Sequence, residues 1–134
     1  VSYTGPNAKP DAPWAYQLDL LQLARDVDIL ILACSGGPAT RHLVNAPVLA
    51  ALGKDGYLIN VARGSVVEEE ALIHALETGG IAGAGLDVFE NEPNPDARFI
   101  QLNNVVLQPH SATLTHENRA ELVVEVLGLL GLPD

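Results

Sequence analysis

Residues 56–93 read GYLINVARGSVVEEEALIHALETGGIAGAGLDVFENEP. The continuous apolar run at 56–61 is typical of a buried strand. Positions 68–78 favour a helix, because acidic residues occupy the first turn, apolar residues recur on one face and Gly79 follows the last turn. A second apolar run at 81–88 predicts another strand. The segment therefore predicts a strand, a helix and a second strand joined by a right-handed parallel crossover.

The same alternation extends to both sides of this segment. Apolar runs at 28–33 and 105–108 predict two more buried strands, and VSY at the start of the chain predicts another short strand. Helices are predicted at 19–25, 47–52 and 115–130, whereas the Pro-, Gly- and Asn-rich residues 4–13 predict a loop. Alternating strands and helices predict an α/β fold with a doubly wound parallel sheet, in which this chain forms about five strands.

The glycine run GGIAGAG at 79–85 precedes a predicted strand and does not open a helix. This context argues against a phosphate-binding turn, which needs a helix directly after the glycines. Gly79 and Gly80 are instead expected to end a helix, and Gly83 and Gly85 to let a neighbouring backbone approach closely.

Polar side chains follow the predicted strands at their carboxyl ends, where open α/β sheets bind ligands. Arg63 offers a planar fork that matches a carboxylate with two parallel hydrogen bonds. His110 is the plausible acid/base of the set near neutral pH. A carboxylate from Glu92 at the other ring nitrogen would favour imidazolium and fix the tautomer, so that His110 could give a proton to a carbonyl oxygen.

Structural alternatives remain open at this stage. Arg63 could cap a helix or pair with the acidic residues at 68–70, and His110 after Pro109 could be a loop histidine bonded to backbone. A metal site at Asp87, Glu90, Glu92 and His110 is not expected, since no His or Cys spacing of a known metal motif is present.

Composition narrows the class of partner. With 7 basic and 17 acidic residues, the net charge of −10 argues against nucleic-acid or anionic-membrane partners. No apolar run is long enough to span a bilayer, so a cytoplasmic protein is the default expectation. Cys34 is the single cysteine, which excludes an internal disulfide and favours a structural or cofactor-facing thiol over a reactive one.

Four ordered blocks of sequence resemble the D-isomer-specific 2-hydroxyacid dehydrogenases, over roughly residues 28–127. They are ILACSGGPATRHLVN at 31–45, INVARGSVVEEEALIHAL at 59–76, GGIAGAGLDVFENEP at 79–93, and the Pro-His pair at 109–110 followed by Arg119. The resemblance implies a Rossmann-type dinucleotide-binding domain. Since no G-x-G-x-x-G turn is present, we expect a partial domain, spanning residues 1–134, without the first strand and glycine-rich turn and without the substrate domain.

The resemblance also implies roles for individual residues. Arg63 would bind the substrate carboxylate, His110 would be the acid/base and Glu92 its partner. Residues expected at the cofactor are Cys34, Ser35, Thr40, Val61, Ala62, Arg63 and Asp87, the last as acceptor for the nicotinamide carboxamide. Ser35 and Thr113 depart from the usual Pro and from Ser or Gly, which predicts slightly reshaped cofactor loops.

The implied activity is NAD(P)H-dependent reduction of a small 2-keto acid of the glyoxylate or hydroxypyruvate type, in a homodimer. Thr4, Gly5, Pro6 and Asn7 offer no acid for the ribose 2′-hydroxyl of NAD, and Lys9 is a nearby cation, so NADP(H) is favoured over NAD(H). Two alternatives stay open: a nucleotide-sensing, corepressor-like binding module, and a 134-residue chain that is inactive by itself.

Overall fold

Four parallel strands form the main sheet in the computed structural model, which describes residues 1–111. In chain order the strands within these residues are β1 (Ser2–Tyr3), β2 (Ala15–Tyr16), β3 (Ile29–Leu32), β4 (Tyr57–Asn60), β5 (Gly83–Leu86) and β6 (Val105–Leu107). The main sheet has the order β3-β4-β5-β6, and each neighbouring pair is parallel. The α/β class and the parallel crossovers predicted from the sequence are therefore confirmed. The predicted helix at 115–130, and Thr113, lie outside the described residues.

Three short helices connect the strands, and each begins or ends at a residue suited to that position. They are α1 (Leu20–Arg25), α2 (Ala46–Leu52) and α3 (Glu69–Glu77). The Asp19 and Asn45 side chains accept backbone amide hydrogen bonds at the first turns of α1 and α2. Gly79 follows α3 with a φ of +69°, a conformation that glycine adopts without steric cost.

The core lies between the sheet and these helices. Leu30, Leu58 and Leu86 of the strands are buried in one cluster with Leu49 of α2 and Leu72 of α3. Alternate strand residues point the other way, and Ile31 and Val106 remain 61% and 65% exposed. The helices α1 to α3 thus cover one face of the sheet, and they fix the strand ends that carry the polar residues. Within residues 1–111, no helix has the length and apolar character needed to cross a membrane.

The amino-terminal strand differs from the expectation of about five strands in one sheet. Among the described residues β1 pairs in parallel with β2, and this pair is separate from the four-stranded sheet. The sequence did not predict β2, because two residues are too few for a periodic pattern. The Tyr3 and Tyr16 ring centroids lie 5.3 Å apart with the rings tilted by 54°, and the Tyr16 hydroxyl donates to the Gly5 carbonyl at 2.8 Å. These contacts stabilise the loop at 4–13.

The glycines of the 79–85 run have the structural role expected of them. A methyl group on Gly83 would lie 2.7 Å from the Asn104 carbonyl oxygen, and one on Gly85 would lie 3.0 Å from Ile59 Cδ1. Small residues in β5 therefore allow β4 and the β6 segment to approach it closely.

Candidate active site

A cleft of about 790 Å³ opens at the carboxyl ends of the central strands. Its walls are the segments that follow β3 at 33–37, β4 at 61–65 and β5 at 89–92, together with His110 after β6. Arg63, Glu92 and His110 all line this cleft, although they lie up to 47 residues apart in sequence. The parallel topology places these three predicted residues together, because the carboxyl ends of parallel strands meet at one edge.

Arg63 is positioned by the end of β4. The Asn60 side chain, 1% exposed, accepts from the Ala62 amide at 3.0 Å and donates to the Arg63 carbonyl at 3.1 Å. These two bonds satisfy the buried amide group and set the tight turn that ends in Arg63. The Arg63 guanidinium donates to the Ala62 carbonyl at 2.6 Å, and its stem packs on Gly36 so closely that a methyl group there would clash.

Two of the three carboxylates at 68–70 that could have paired with Arg63 have other partners. Glu70 accepts from Arg98 at 2.6 Å, and Glu69 accepts from the Glu90 amide at 2.7 Å. Arg63 instead faces the cleft, where the hydrogen bond from His110 is the main cause that lowers the pKa of the Glu92 carboxyl and the charge of Arg63 adds a smaller effect.

His110 and Glu92 form a close pair. His110 Nδ1 lies 2.8 Å from Glu92 Oε2, and Glu92 Oε1 accepts from the Phe89 amide at 2.9 Å. The hydrogen bond from His110 is the largest cause that lowers the Glu92 pKa, followed by the Phe89 amide. Glu92 therefore remains ionised near neutral pH and fixes the orientation of the His110 ring. His110 has a φ of +53°, and its side chain is about half exposed at 47%.

The residues predicted at the cofactor divide into three groups. Cys34, Ser35, Val61 and Ala62 line the cleft with Arg63. Thr40 does not line the cleft. Its hydroxyl donates to the Ser35 carbonyl at 2.8 Å and so stabilises the loop that follows β3. Asp87 lies in a second depression of about 420 Å³, which shares Val61 with the first, and its Oδ1 accepts from the Ser111 amide at 2.7 Å.

Glu90 is a cleft residue that the sequence analysis did not select. Its carboxylate accepts from Arg41 at 2.9 Å and lies 3.3 Å from His42 Nε2. The sequence separation of 48 to 49 residues leaves no local pattern that could have revealed these pairs. Asn60 was also missed, although an amide residue at the end of the apolar run YLIN was a usable signal.

Comparisons with known proteins agree on one family. The family model of the D-isomer specific 2-hydroxyacid dehydrogenase, NAD binding domain, matches residues 1–112. The 2-ketogluconate reductase of Gluconobacter oxydans is 50% identical over 130 residues, which cover 95% of this chain and 42% of that protein. A glyoxylate/hydroxypyruvate reductase of Arabidopsis thaliana is 46% identical over 115 residues, 86% of this chain and 36% of the relative.

A solved structure gives the same result. The NADPH-dependent glyoxylate/hydroxypyruvate reductase of Sinorhizobium meliloti, in complex with NADP and malonate, superimposes with a TM-score of 0.85 at 45% identity. The match covers 92% of this chain and 40% of that one, so this chain spans about two fifths of the length of these relatives. By sequence and by fold, the chain belongs to the D-isomer specific 2-hydroxyacid dehydrogenases, in the part that forms their NAD-binding domain.

Proposed function

We propose that the full-length protein reduces a small 2-keto acid, of the glyoxylate or hydroxypyruvate type, to a D-2-hydroxy acid with NADPH. The observation that supports this most directly is the convergence of Arg63 with the Glu92–His110 pair on one cleft. A fork of donors beside an oriented imidazole suits a substrate that has a carboxylate next to a carbonyl group.

Each of the three residues has one step in this proposal. Arg63 binds the substrate carboxylate and so orients the neighbouring carbonyl group. Glu92 accepts from His110 Nδ1, which leaves Nε2 to donate a proton to the carbonyl oxygen. A bound nicotinamide cofactor would supply the hydride for the carbonyl carbon. Hydride and proton together convert the keto acid to the hydroxy acid, and His110 regains its proton from water.

The residues present fit a nicotinamide cofactor. Asp87 is buried at 6% exposure beside a depression that Ile59, Val61 and Gly85 line without charge. An apolar surface suits a flat ring, and a carboxylate at its rim suits the amide N–H groups of a carboxamide. Cys34, Ser35, Val61 and Ala62 would contact the cofactor in the neighbouring cleft, and Thr40 would support that loop.

The preference for NADP(H) over NAD(H) rests on the loop after β1. Thr4 and Asn7 can donate hydrogen bonds to a 2′-phosphate, and Lys9 adds a positive charge. The NADP complex of the Sinorhizobium meliloti reductase supports the same preference. A homodimeric assembly and a cytoplasmic location belong to the same proposal, and size-exclusion chromatography of the full-length protein tests the first of them.

Steady-state kinetics of the full-length protein test the proposed activity. We expect oxidation of NADPH with glyoxylate or hydroxypyruvate as substrate. Arg63→Lys should mainly raise KM, by roughly 10- to 100-fold, because the second hydrogen bond of the fork is lost. His110→Ala should lower kcat by about 10²- to 10⁴-fold, with cofactor affinity kept, because the proton donor is removed.

His74→Ala is the matched control, since His74 lies exposed on α3, away from the cleft. Its kinetics should equal those of the wild type. Equal loss of NADPH binding in the Arg63 and His110 variants would contradict the assigned roles. Binding of NADPH without turnover of any 2-keto acid would favour a nucleotide-sensing protein instead.

A further inference from the structure

Two carboxylates hold two successive amides in the loop that follows β5. Glu92 Oε1 accepts from the Phe89 amide at 2.9 Å, and Glu69 Oε1 accepts from the next amide, Glu90, at 2.7 Å. The first bond is made within the loop, whereas the second comes from the first turn of α3. The position of Glu92 is therefore linked to a helix that has no residue at the reacting atoms.

The Glu90 side chain is fixed from a third direction. Arg41 donates to its carboxylate at 2.9 Å, and His42 Nε2 lies 3.3 Å from the same oxygen. These bonds neutralise Glu90, which lines a cleft proposed to hold an anionic substrate. They also tie the loop after β3 to the loop after β5.

Glu69 occupies a place that is unfavourable for a carboxylate. Partial burial raises the pKa of its carboxyl, and the nearby charges of Glu90 and Asp96 raise it further. Only the hydrogen bond from the Glu90 amide opposes these effects. The bond from the Glu90 amide therefore opposes the effects of burial and of the neighbouring charges at this position.

We propose that Glu69 is a positioning residue, which holds the Phe89–Glu90 backbone so that the Glu92 carboxylate stays on His110 Nδ1. It acts through the Glu90 amide and does not contact the reacting atoms. A fixed Glu92 keeps the neutral His110 ring in the tautomer with the proton on Nδ1, so that Nε2 is the nitrogen that takes up a proton from water and then donates it to the substrate. The kinetic consequence rests on the proposed reductase activity, whereas the tautomer of His110 does not.

Two substitutions separate the hydrogen bond from the charge. Glu69→Gln keeps a side-chain oxygen that can accept from the Glu90 amide, and Glu69→Ala removes it. Glu70→Ala is the matched control, because it removes a carboxylate from the same helical turn, where Glu70 binds Arg98 instead of the loop. Circular dichroism of each full-length variant checks that the fold is retained.

The primary measurement is the tautomer of His110, read from two-bond ¹H–¹⁵N correlations of the full-length protein with ¹⁵N-labelled histidine at alkaline pH. His110→Gln identifies the resonance. We expect Nδ1–H in the wild type, Glu69→Gln and Glu70→Ala, and exchange between both tautomers in Glu69→Ala. In kinetics, Glu69→Ala should lower kcat on the order of ten- to a hundredfold with KM nearly unchanged.

A Glu69→Ala protein that is folded and keeps the wild-type tautomer would overturn the proposal. Equal effects of Glu69→Gln and Glu69→Ala would also overturn it, because the charge and not the acceptor would then be the cause. If Glu69→Ala does not fold, Glu69→Met replaces it, because methionine keeps the length of the side chain but has no oxygen to accept from the Glu90 amide. A folded Glu69→Met protein with the wild-type tautomer would contradict the positioning role. A protein without reductase activity would refute the proposed function alone, since the ring signal needs no turnover.

Discussion

At the scale of the residue, the Glu92 carboxylate has a pKa that is lower in the folded protein than its usual value of 4.5, chiefly through the hydrogen bond from His110. A lowered folded-state pKa stabilises the fold above the unfolded value, and this contribution disappears as pH falls through the folded value. Above pH 4.5, we expect Glu92→Gln to lower the free energy of unfolding by roughly 0.5–1 kcal/mol, a small effect because the pair is partly exposed. The urea midpoint should fall accordingly.

Urea titrations of wild type and Glu92→Gln at several pH values measure this effect. The difference between the two proteins should shrink as the pH falls below about 4.5, where the carboxyl of the unfolded chain is protonated, and through the lower pKa of the folded protein. A difference of the same size at low and at neutral pH would mean that Glu92 stabilises the protein by its shape and not by its charge.

At the scale of the element, the turn after β4 and the loop after β5 touch at Gly64. A methyl group there would overlap the Phe89 carbonyl carbon and the Glu90 nitrogen, so backbone would have to move. We expect Gly64→Ala to lower the free energy of unfolding by roughly 1–3 kcal/mol or more. It should also lower kcat/KM, because Arg63 and Glu92 flank this contact.

Gly79→Ala is the comparison for that prediction. Its φ of +69° is unfavourable for alanine, but nothing lies within 4 Å of the added methyl group. It should cost about 1–2 kcal/mol and leave kcat/KM unchanged. A wild-type value of kcat/KM in Gly64→Ala would show that the turn after β4 and the loop after β5 can separate without displacing Arg63 and Glu92.

Local signals explain which elements the sequence predicted well. The α3 helix was expected at 68–78 and spans Glu69–Glu77, because acidic first-turn residues and Gly79 mark its two ends. The strands after it have continuous apolar runs and were found as well. In contrast, β2 has two residues, and the 3₁₀ turns at 38–40 and 97–101 arise from bonds over three residues, which leave no periodic pattern.

At the scale of the whole molecule, topology brings together what the sequence could only suggest separately. Arg63, Glu92 and His110 were predicted because each follows an apolar run, and parallel strands place such positions at one edge. Arg41 and Glu90 were not paired, since residues in a turn and a loop can meet in many ways and no spacing encodes their contact. Contacts between residues far apart in sequence could therefore be identified only from the structure.

The loop that is proposed to set the cofactor preference connects β1 to β2, and this pair of strands is separate from the four-stranded sheet that carries the cleft. Two hydrogen bonds fix the shape of this loop. The Tyr16 hydroxyl donates to the Gly5 carbonyl, and the Lys9 amide donates to the Tyr3 hydroxyl at 2.6 Å. A substitution at the end of β1 should therefore change the charge that the ribose meets without changing the loop. Thr4 is the residue at this position.

Thr4→Asp should shift the preference toward NADH. A carboxylate at the end of this strand accepts from the ribose 2′-hydroxyl of NADH and repels the 2′-phosphate of NADPH. We expect the ratio of kcat/KM for NADPH to kcat/KM for NADH to fall roughly tenfold, which corresponds to about 1.4 kcal/mol. Thr4→Asn, of nearly the same size but uncharged, should keep the wild-type ratio. If Thr4→Asn changes the ratio as much as Thr4→Asp, the loop discriminates by shape, and the argument from the missing acid is wrong.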